Sequence, residues 1–240
     1  MDRLLVSRGL AASREQARGL ILAGTVLVDE RRVDKPGEQV PQAAVLRLKE
    51  GARAPYVSRG GVKLEAAIRS FGLRVDGAVA LDVGASTGGF TDCLLQHGAR
   101  KVFAVDVGRG QLAWKLRRDP RVVNIERRNI RFLEPGDLDE APGLAVIDVS
   151  FISLSLVIPR VLALVAPAAE IVALVKPQFE VGKGKVGKGG VVKDPALHDE
   201  VLGRLHEEAR GWGLQIKGVI PSPLLGPKGN KEFLLYGKAP

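Results

Sequence analysis

LDVGASTGGFTDCLL, residues 81–95, sets an apolar strand-like run directly before a glycine-rich turn and an apolar helical stretch. Strand, turn and helix in that order are the unit from which nucleotide-binding α/β sheets are built. Three chemistries claim a turn of this composition. Gly84-Ala85-Ser86-Thr87-Gly88 spells the G-x-S-x-G of a serine-hydrolase elbow, and Gly84, Ser86 and Gly89 nearly spell the G-x-G-x-x-G of dinucleotide folds. The third is a loop turning past the nucleoside of S-adenosylmethionine.

The rest of the chain separates them. An elbow serine needs a later acid and then a histidine on a loop after a late strand. His97 ends the helix beside the turn, and His198 and His206 fall on a polar helical stretch. A dinucleotide fold needs glycine where Ser86 stands, because the backbone must approach a pyrophosphate. A methyl donor carries no pyrophosphate, so its loop need only turn sharply and offer N–H groups and hydroxyls. Asp106, twenty-two residues after Gly84 at the end of KVFAVDVG, suits two ribose hydroxyls and leaves the nucleoside's identity open. A second glycine run, GKGKVGKGG, imitates a P-loop through Gly182, Gly187 and Lys188. It carries Gly189 where the magnesium-binding Ser/Thr belongs and reads better as a loop near a nucleic-acid site.

Outward from the turn, residues from 78 alternate short β-branched runs with helical stretches, which calls for a mostly parallel sheet with helices on both faces. The last two strands lack an intervening helix and are expected as an antiparallel hairpin at or near the sheet edge. Leu64, Ala67, Ile68 and Phe71 mark a helix stopped by Gly72. Residues 1–48 read as a separate module of two short helices followed by strands, with Ser13 and Gln16 as a capping box, Gly24 as a helix stop, and DERR and DKPGE as turns. Residues 49–61 read as a linker and 62–240 as the main domain.

Composition adds a partner class. The chain has 36 Lys+Arg against 27 Asp+Glu, a net +9. That excess suggests a polyanion such as nucleic acid, and an anionic membrane surface would also fit. Residues 100–131 concentrate ten Lys/Arg against three acids, fewer than a solvated helix face would carry. The single cysteine, Cys93, allows no intrachain disulfide and fits a reducing compartment. No signal peptide or spanning segment is evident, so a cytoplasmic protein without stable membrane insertion is expected. Three scattered histidines and one cysteine suggest no metal site.

Four charged residues remain: Lys63, Asp148, Lys176 and Glu232. Asp148 and Lys176 each follow an apolar run, LAVI and AEIVALV, and so stand at carboxyl ends of strands, the edge where α/β sheets bind ligands.

These four resemble the Lys-Asp-Lys-Glu tetrad of the FtsJ-like ribose 2′-O-methyltransferases. MDRLLVSRGLAASREQARGLILAGTVLVDERRVDKPGEQV resembles the S4 RNA-binding domain. SRGG-KL, DVGASTGGFTD, VDVG-GQLAW, DPRVV, DVSFISL, LVKPQFEVGKG and SP--GP-GN-E together resemble the TlyA family of rRNA cytidine 2′-O-methyltransferases, often labelled hemolysins. Two positions depart from that pattern: Arg109, where relatives are expected to carry tyrosine, and Tyr56, where some carry Trp.

The resemblance implies a Rossmann-like class I methyltransferase sheet behind a small α+β S4 domain. It implies S-adenosylmethionine held by Gly84, Ser86, Thr87, Gly88, Gly89 and Phe90, with Asp106 on the ribose and Asn129 and Ile130 near the adenine. Phe90 is open to a second reading as simple core. It implies RNA phosphates gripped by Arg14, Arg18, Arg31, Arg32 and Lys35, and ribosomal RNA or ribosomal subunits as partner, the large subunit foremost. Lys176 takes the central role as base or oxyanion stabiliser, Asp148 and Glu232 orient the lysines, and Lys63 helps position the ribose. The rivals are an RNA-binding protein with an inactive methyltransferase fold, and a membrane-lytic protein.

Overall fold

In the computed structural model, residues 1–240 are described except 12, 23, 50–54, 183 and 188, and nothing is described of the side chains of Glu15 and Gln16. The Ser13–Gln16 capping box, the middle of the expected linker and Lys188 of the P-loop look-alike therefore lie outside the described residues. The chain divides into two compact units, Met1–Pro55 and Tyr56–Pro240.

In the first unit α1 (Asp2–Ser7) and α2 (Arg14–Leu22) precede β1 (Val26–Val28), β2 (Arg31–Val33) and β3 (Leu46–Leu48), which form an antiparallel sheet in the order β2-β1-β3. Asp29 and Glu30 both adopt positive φ (46° and 63°), the tight two-residue hairpin turn that such a pair of strands needs. The turn therefore takes only the first half of DERR, and Arg31 and Arg32 are strand residues. Leu5, Ala17, Ile21, Val26, Val28 and Val33 make a small core of their own.

The second unit is built on seven strands: β4 (Val79–Val83), β5 (Lys101–Val105), β6 (Val122–Ile125), β7 (Leu144–Ile147), β8 (Glu170–Val175), β9 (Gln215–Pro221) and β10 (Phe233–Lys238). Their order is β6-β5-β4-β7-β8-β10-β9, parallel from β6 to β8, with β10 antiparallel to both β8 and β9. The closing hairpin occupies the edge as expected. Central strands are buried on both faces, and alternate residues divide between two cores: Ala80, Val102, Ala104 and Val146 on one side, Leu81, Phe103, Val105 and Ile147 on the other. The first face is covered by α3 (Gly60–Phe71) and α4 (Gly89–Gln96), with Phe71 stacked on Tyr236. The second is covered by α6 (Leu154–Leu162) and α7 (Pro195–Gly211). Within GQLAWKLRR the helix is confined to α5 (Trp114–Arg117), because the residues before Trp114 are spent on a loop whose Ala113 N–H donates to Thr87 O. Residues 56–61, read in sequence as the end of a linker, pack in this unit, and Tyr56 is buried against Gly61. Among the described residues no helix is long and apolar enough to cross a membrane.

From β4 the chain builds outward through β5 and β6, then returns to the other side of β4 with β7. The two strands that flank this switch point carry the crevice at their carboxyl ends. One polar residue is sunk in β4 itself: Asp82 is fully buried, accepts from Thr91 Oγ1 at 2.6 Å, and leaves Oδ1 without a hydrogen-bond partner. Burial, with smaller contributions from Asp148 and Asp106, pushes its carboxyl up to about 7 despite the Thr91 bond. A carboxyl whose folded value is raised costs stability as pH climbs from its unfolded value near 3.8 to about 7. Asp82→Asn is expected to remove that decline, so its stability relative to wild type should improve between pH 5 and pH 8 in urea titrations. A pH-independent difference would refute the assignment.

Candidate active site

Gly84 opens the turn at φ +85°, and a Cβ there would lie 2.4 Å from the Asp148 carbonyl oxygen, so glycine is required twice over. Gly84 and Ala85 both donate to Val105 O, Gly88 donates to Ala85 O at 2.7 Å, and Ser86 donates to Asp106 Oδ2 at 2.8 Å. These four N–H groups are thus bound within the protein. Contracting the loop onto the end of β5 consumes them. Asp106 also accepts from Gly108 N at 2.6 Å; a carboxylate offers about four lone-pair sites, so two remain for ribose hydroxyls.

Two cavities meet at this turn. One of about 800 Å³ is lined by Gly84, Ser86, Asp106, Asn129 and Ile130. Its size and carboxylate fit a nucleoside donor, with Asn129 fixed by accepting from Arg131 N. The other, of about 270 Å³, is lined by Thr87, Gly89, Phe90, Lys63, Ser58 and Arg59. Gly84, Ser86 and Asp148 belong to both. Gly88 lines neither cavity: at φ +93° it packs beneath Leu112 and Leu116 and shapes the turn from behind. Phe90 both lines the smaller cavity and belongs to the core. Ser86 has φ +49°, as an elbow serine would, but no histidine lines either cavity among the described residues.

The four scattered charged residues come together as two ion pairs. Lys176 Nζ stands 2.6 Å from Asp148 Oδ1 and donates to Ser150 Oγ at 3.0 Å. Lys63 pairs with Glu232, whose side chain is wholly buried and whose Oε1 has no hydrogen-bond partner. Gly226 closes over this carboxylate, since a Cβ there would lie 2.0 Å from Oε1. Lys63 and Asp148 face the smaller cavity, each backed by its partner. Each of the two lysines meets a carboxylate.

Several residues here escaped the sequence reading. Ser58 and Arg59 wall the smaller cavity, and Asp92, 3% exposed, secures that wall by accepting from Val57 N while pairing with Lys115. The SRGG run was the available signal. Phe151 is 90% exposed at φ +63°, beside Phe179 and one residue past Ser150; a bulky residue is rarely held in that conformation. His198, taken for a residue of a polar helix, is buried.

The basic run is largely neutralised. Arg100, Lys101, Lys115, Arg117, Arg121 and Arg128 pair with Glu140, Asp139, Asp92, Glu126, Asp119 and Asp137. Most of these acids lie outside residues 100–131, so a local count overstated the excess. Arg109 and Arg127 stand exposed, while Arg118 and Arg131 lie over the exposed rings of Trp114 and Phe132. In the first unit Arg18, Arg31, Arg32 and Lys35 are exposed, with the Arg32 guanidinium lying against Gly24. Arg14 is paired with Asp2 at 2.9 Å.

A parallel sheet whose switch point holds a ribose-ready carboxylate, next to a cavity walled by lysine–carboxylate pairs, has the architecture of a nucleoside-dependent methyltransferase. A family model described as FtsJ-like methyltransferase matches residues 56–239, and one described as S4 domain matches residues 2–46. The chain belongs to the FtsJ-like methyltransferase family, with an S4 domain in front. It is 48% identical over 236 residues to the 16S/23S rRNA (cytidine-2′-O)-methyltransferase TlyA of Mycobacterium tuberculosis, covering 98% of this chain and 88% of that one. It is 40% identical over 237 residues to Hemolysin A of Brachyspira hyodysenteriae, covering 98% of each. A solved structure from Streptococcus thermophilus, also bearing the name hemolysin, matches with a TM-score of 0.80 and 46% identity, covering 99% of this chain and 87% of that one.

Gly226→Ala forces a methyl group into the Glu232 carboxylate and should separate the Lys63–Glu232 pair. A buried pair broken on one side typically costs about 3–5 kcal/mol, so the melting temperature should fall by several degrees. An unchanged melting temperature would show that the carboxylate can move aside.

Proposed function

We propose that the chain transfers the methyl group of S-adenosylmethionine to the ribose 2′-oxygen of a cytidine in ribosomal RNA, foremost in the large subunit. One observation carries this reading: among the described residues the two cavities share Gly84, Ser86 and Asp148, and the smaller is lined by one member of each lysine–carboxylate pair, Lys63 and Asp148. A nucleoside in the larger cavity and a ribose in the smaller would have their reacting atoms at that seam. The names of the relatives, and the S4 domain in front, point to the same substrate. The intact set of Lys63, Asp148, Lys176 and Glu232 favours an active enzyme over an inactive fold.

S-adenosylmethionine, when bound, supplies an electrophilic methyl group on a sulfonium. The chain's own residues prepare the acceptor. Lys176 donates to Ser150 and is ion-paired with Asp148, which leaves donor capacity on its ammonium for the attacking 2′-oxygen. The ammonium steadies negative charge as it develops there, while the hydroxyl proton is lost to surrounding groups and solvent. Lys63, fixed by Glu232, orients the ribose from the other side. Asp106 holds the donor ribose.

Lys176→Ala should lower kcat for transfer of a labelled methyl group to ribosomal subunits or naked rRNA by about 10²–10³-fold while donor binding persists. Lys176→Arg, charged at every pH, should keep part of the activity with a flat pH profile; complete loss in both variants would make Lys176 the base. No transfer to any RNA by a wild type that binds the donor would overturn the proposed function.

In the S4 unit, phosphate contacts position the RNA without reading its sequence. Arg18→Ala with Arg31→Ala should weaken RNA binding at 100 mM salt and reduce the slope of log affinity against log salt by about two, one for each lost contact. An unchanged slope removes these residues from the interface.

A further inference from the structure

A third cavity, of about 350 Å³, lies beyond the Lys63–Glu232 pair. Lys63 faces the acceptor cavity and Glu232 faces this one, while Leu225, 54% exposed, rims both. Its other walls include His198 and Asp199 of α7, Lys231, and Phe233 at the start of β10. Two buried side chains fasten these walls. Asn230 accepts from Val192 N at 3.0 Å and donates to Gly190 O and Pro227 O, and His198 Nε2 bonds Val192 O at 3.0 Å. The cavity is therefore part of the built fold.

Its chemistry is specific. A carbonyl only accepts, so His198 Nε2 carries a proton and donates it. Asp199 is exposed and, like Lys231, has no ion-pair partner among the described residues. The cavity thus combines the carboxylates of Asp199 and Glu232, the Lys231 cation and the ring of Phe233. An exocyclic amine on a nucleobase satisfies carboxylate acceptors, as cytosine N4 does; uracil presents carbonyl oxygens there instead. Lys231 suits a phosphate.

We propose that this cavity binds the nucleotide adjoining the methylated one and selects a base carrying an amino group over uracil. The inference rests on the proposed function: an RNA strand whose target ribose fills the acceptor cavity passes over Leu225 into this one.

Two measurements on the full chain test it. The first uses an rRNA transcript whose methylated nucleotide has been mapped with wild type, with uridine placed on either side in turn. Uridine at one of the two positions should raise the wild-type KM about tenfold with little change in kcat. Asp199→Ala should raise KM for the native sequence similarly and abolish the dependence on that base. Lys231→Ala should raise KM for all three RNAs alike. Wild type indifferent to uridine on both sides, or Asp199→Ala with discrimination intact, overturns the proposal.

The second needs no methyl transfer. With the protein saturated in S-adenosylhomocysteine, the His198 ring resonances are followed as AMP, CMP, GMP and UMP are added. They should move with the first three and not with UMP. Resonances that stay fixed with all four, or that move equally with UMP, overturn the cavity's assignment. Selective movement in a protein that methylates no RNA would refute the proposed function and leave the nucleotide site standing.

Discussion

The site depends on how closely β4 and β7 can approach at their carboxyl ends. Asp148 N–H bonds Val83 O at 2.9 Å, and the Asp148 carbonyl lies where any side chain on residue 84 would have to be. This contact puts the donor turn and the first catalytic candidate on adjacent strands with no space between them. The larger cavity then opens toward β5, where Asp106 stands, and the smaller toward α3, where Lys63 stands. A substituent at Gly84 would part the strands and separate the two cavities' common wall.

Charge is the second constraint. Four ionised groups at the end of a buried sheet would be costly singly, and the fold meets that cost by pairing each lysine with a carboxylate from another element. The pairing also sets direction. Lys176 is turned by Asp148 and Ser150, and Lys63 by a carboxylate that Gly226 holds in place. The same economy governs the basic surface, where six of the ten cations in residues 100–131 are paired with acids, four of them with acids outside that stretch. Among the described residues the exposed charge without an ion-pair partner includes Arg109 and Arg127, the arginine–aromatic pairs Arg118–Trp114 and Arg131–Phe132, and Arg18, Arg31 and Arg32 of the first unit.

The donor turn, Asp106, the parallel sheet and the terminal hairpin were legible because each is a local signal: a glycine spacing, an acid at a strand end, a period of two, a missing crossover helix. The small S4 module was legible for the same reason. Ser58 and Arg59 were hidden in a stretch without periodicity, which becomes a cavity wall only when Asp92 binds its backbone. His198 looked polar from its neighbours along α7 and is buried by Phe233, a residue far along the chain.

By itself the sequence determined the class of fold, the nucleoside turn and which charged side chains lie at strand ends, since these follow from patterns within a few residues. Tertiary structure alone decided which carboxylate each lysine meets, that the N–H groups of Gly84, Ala85, Ser86 and Gly88 are spent on Val105, Ala85 and Asp106, and that three cavities share walls along one edge. The reason is physical: hydrogen bonds and ion pairs between residues up to 169 positions apart depend on strand order and register, which no local spacing encodes.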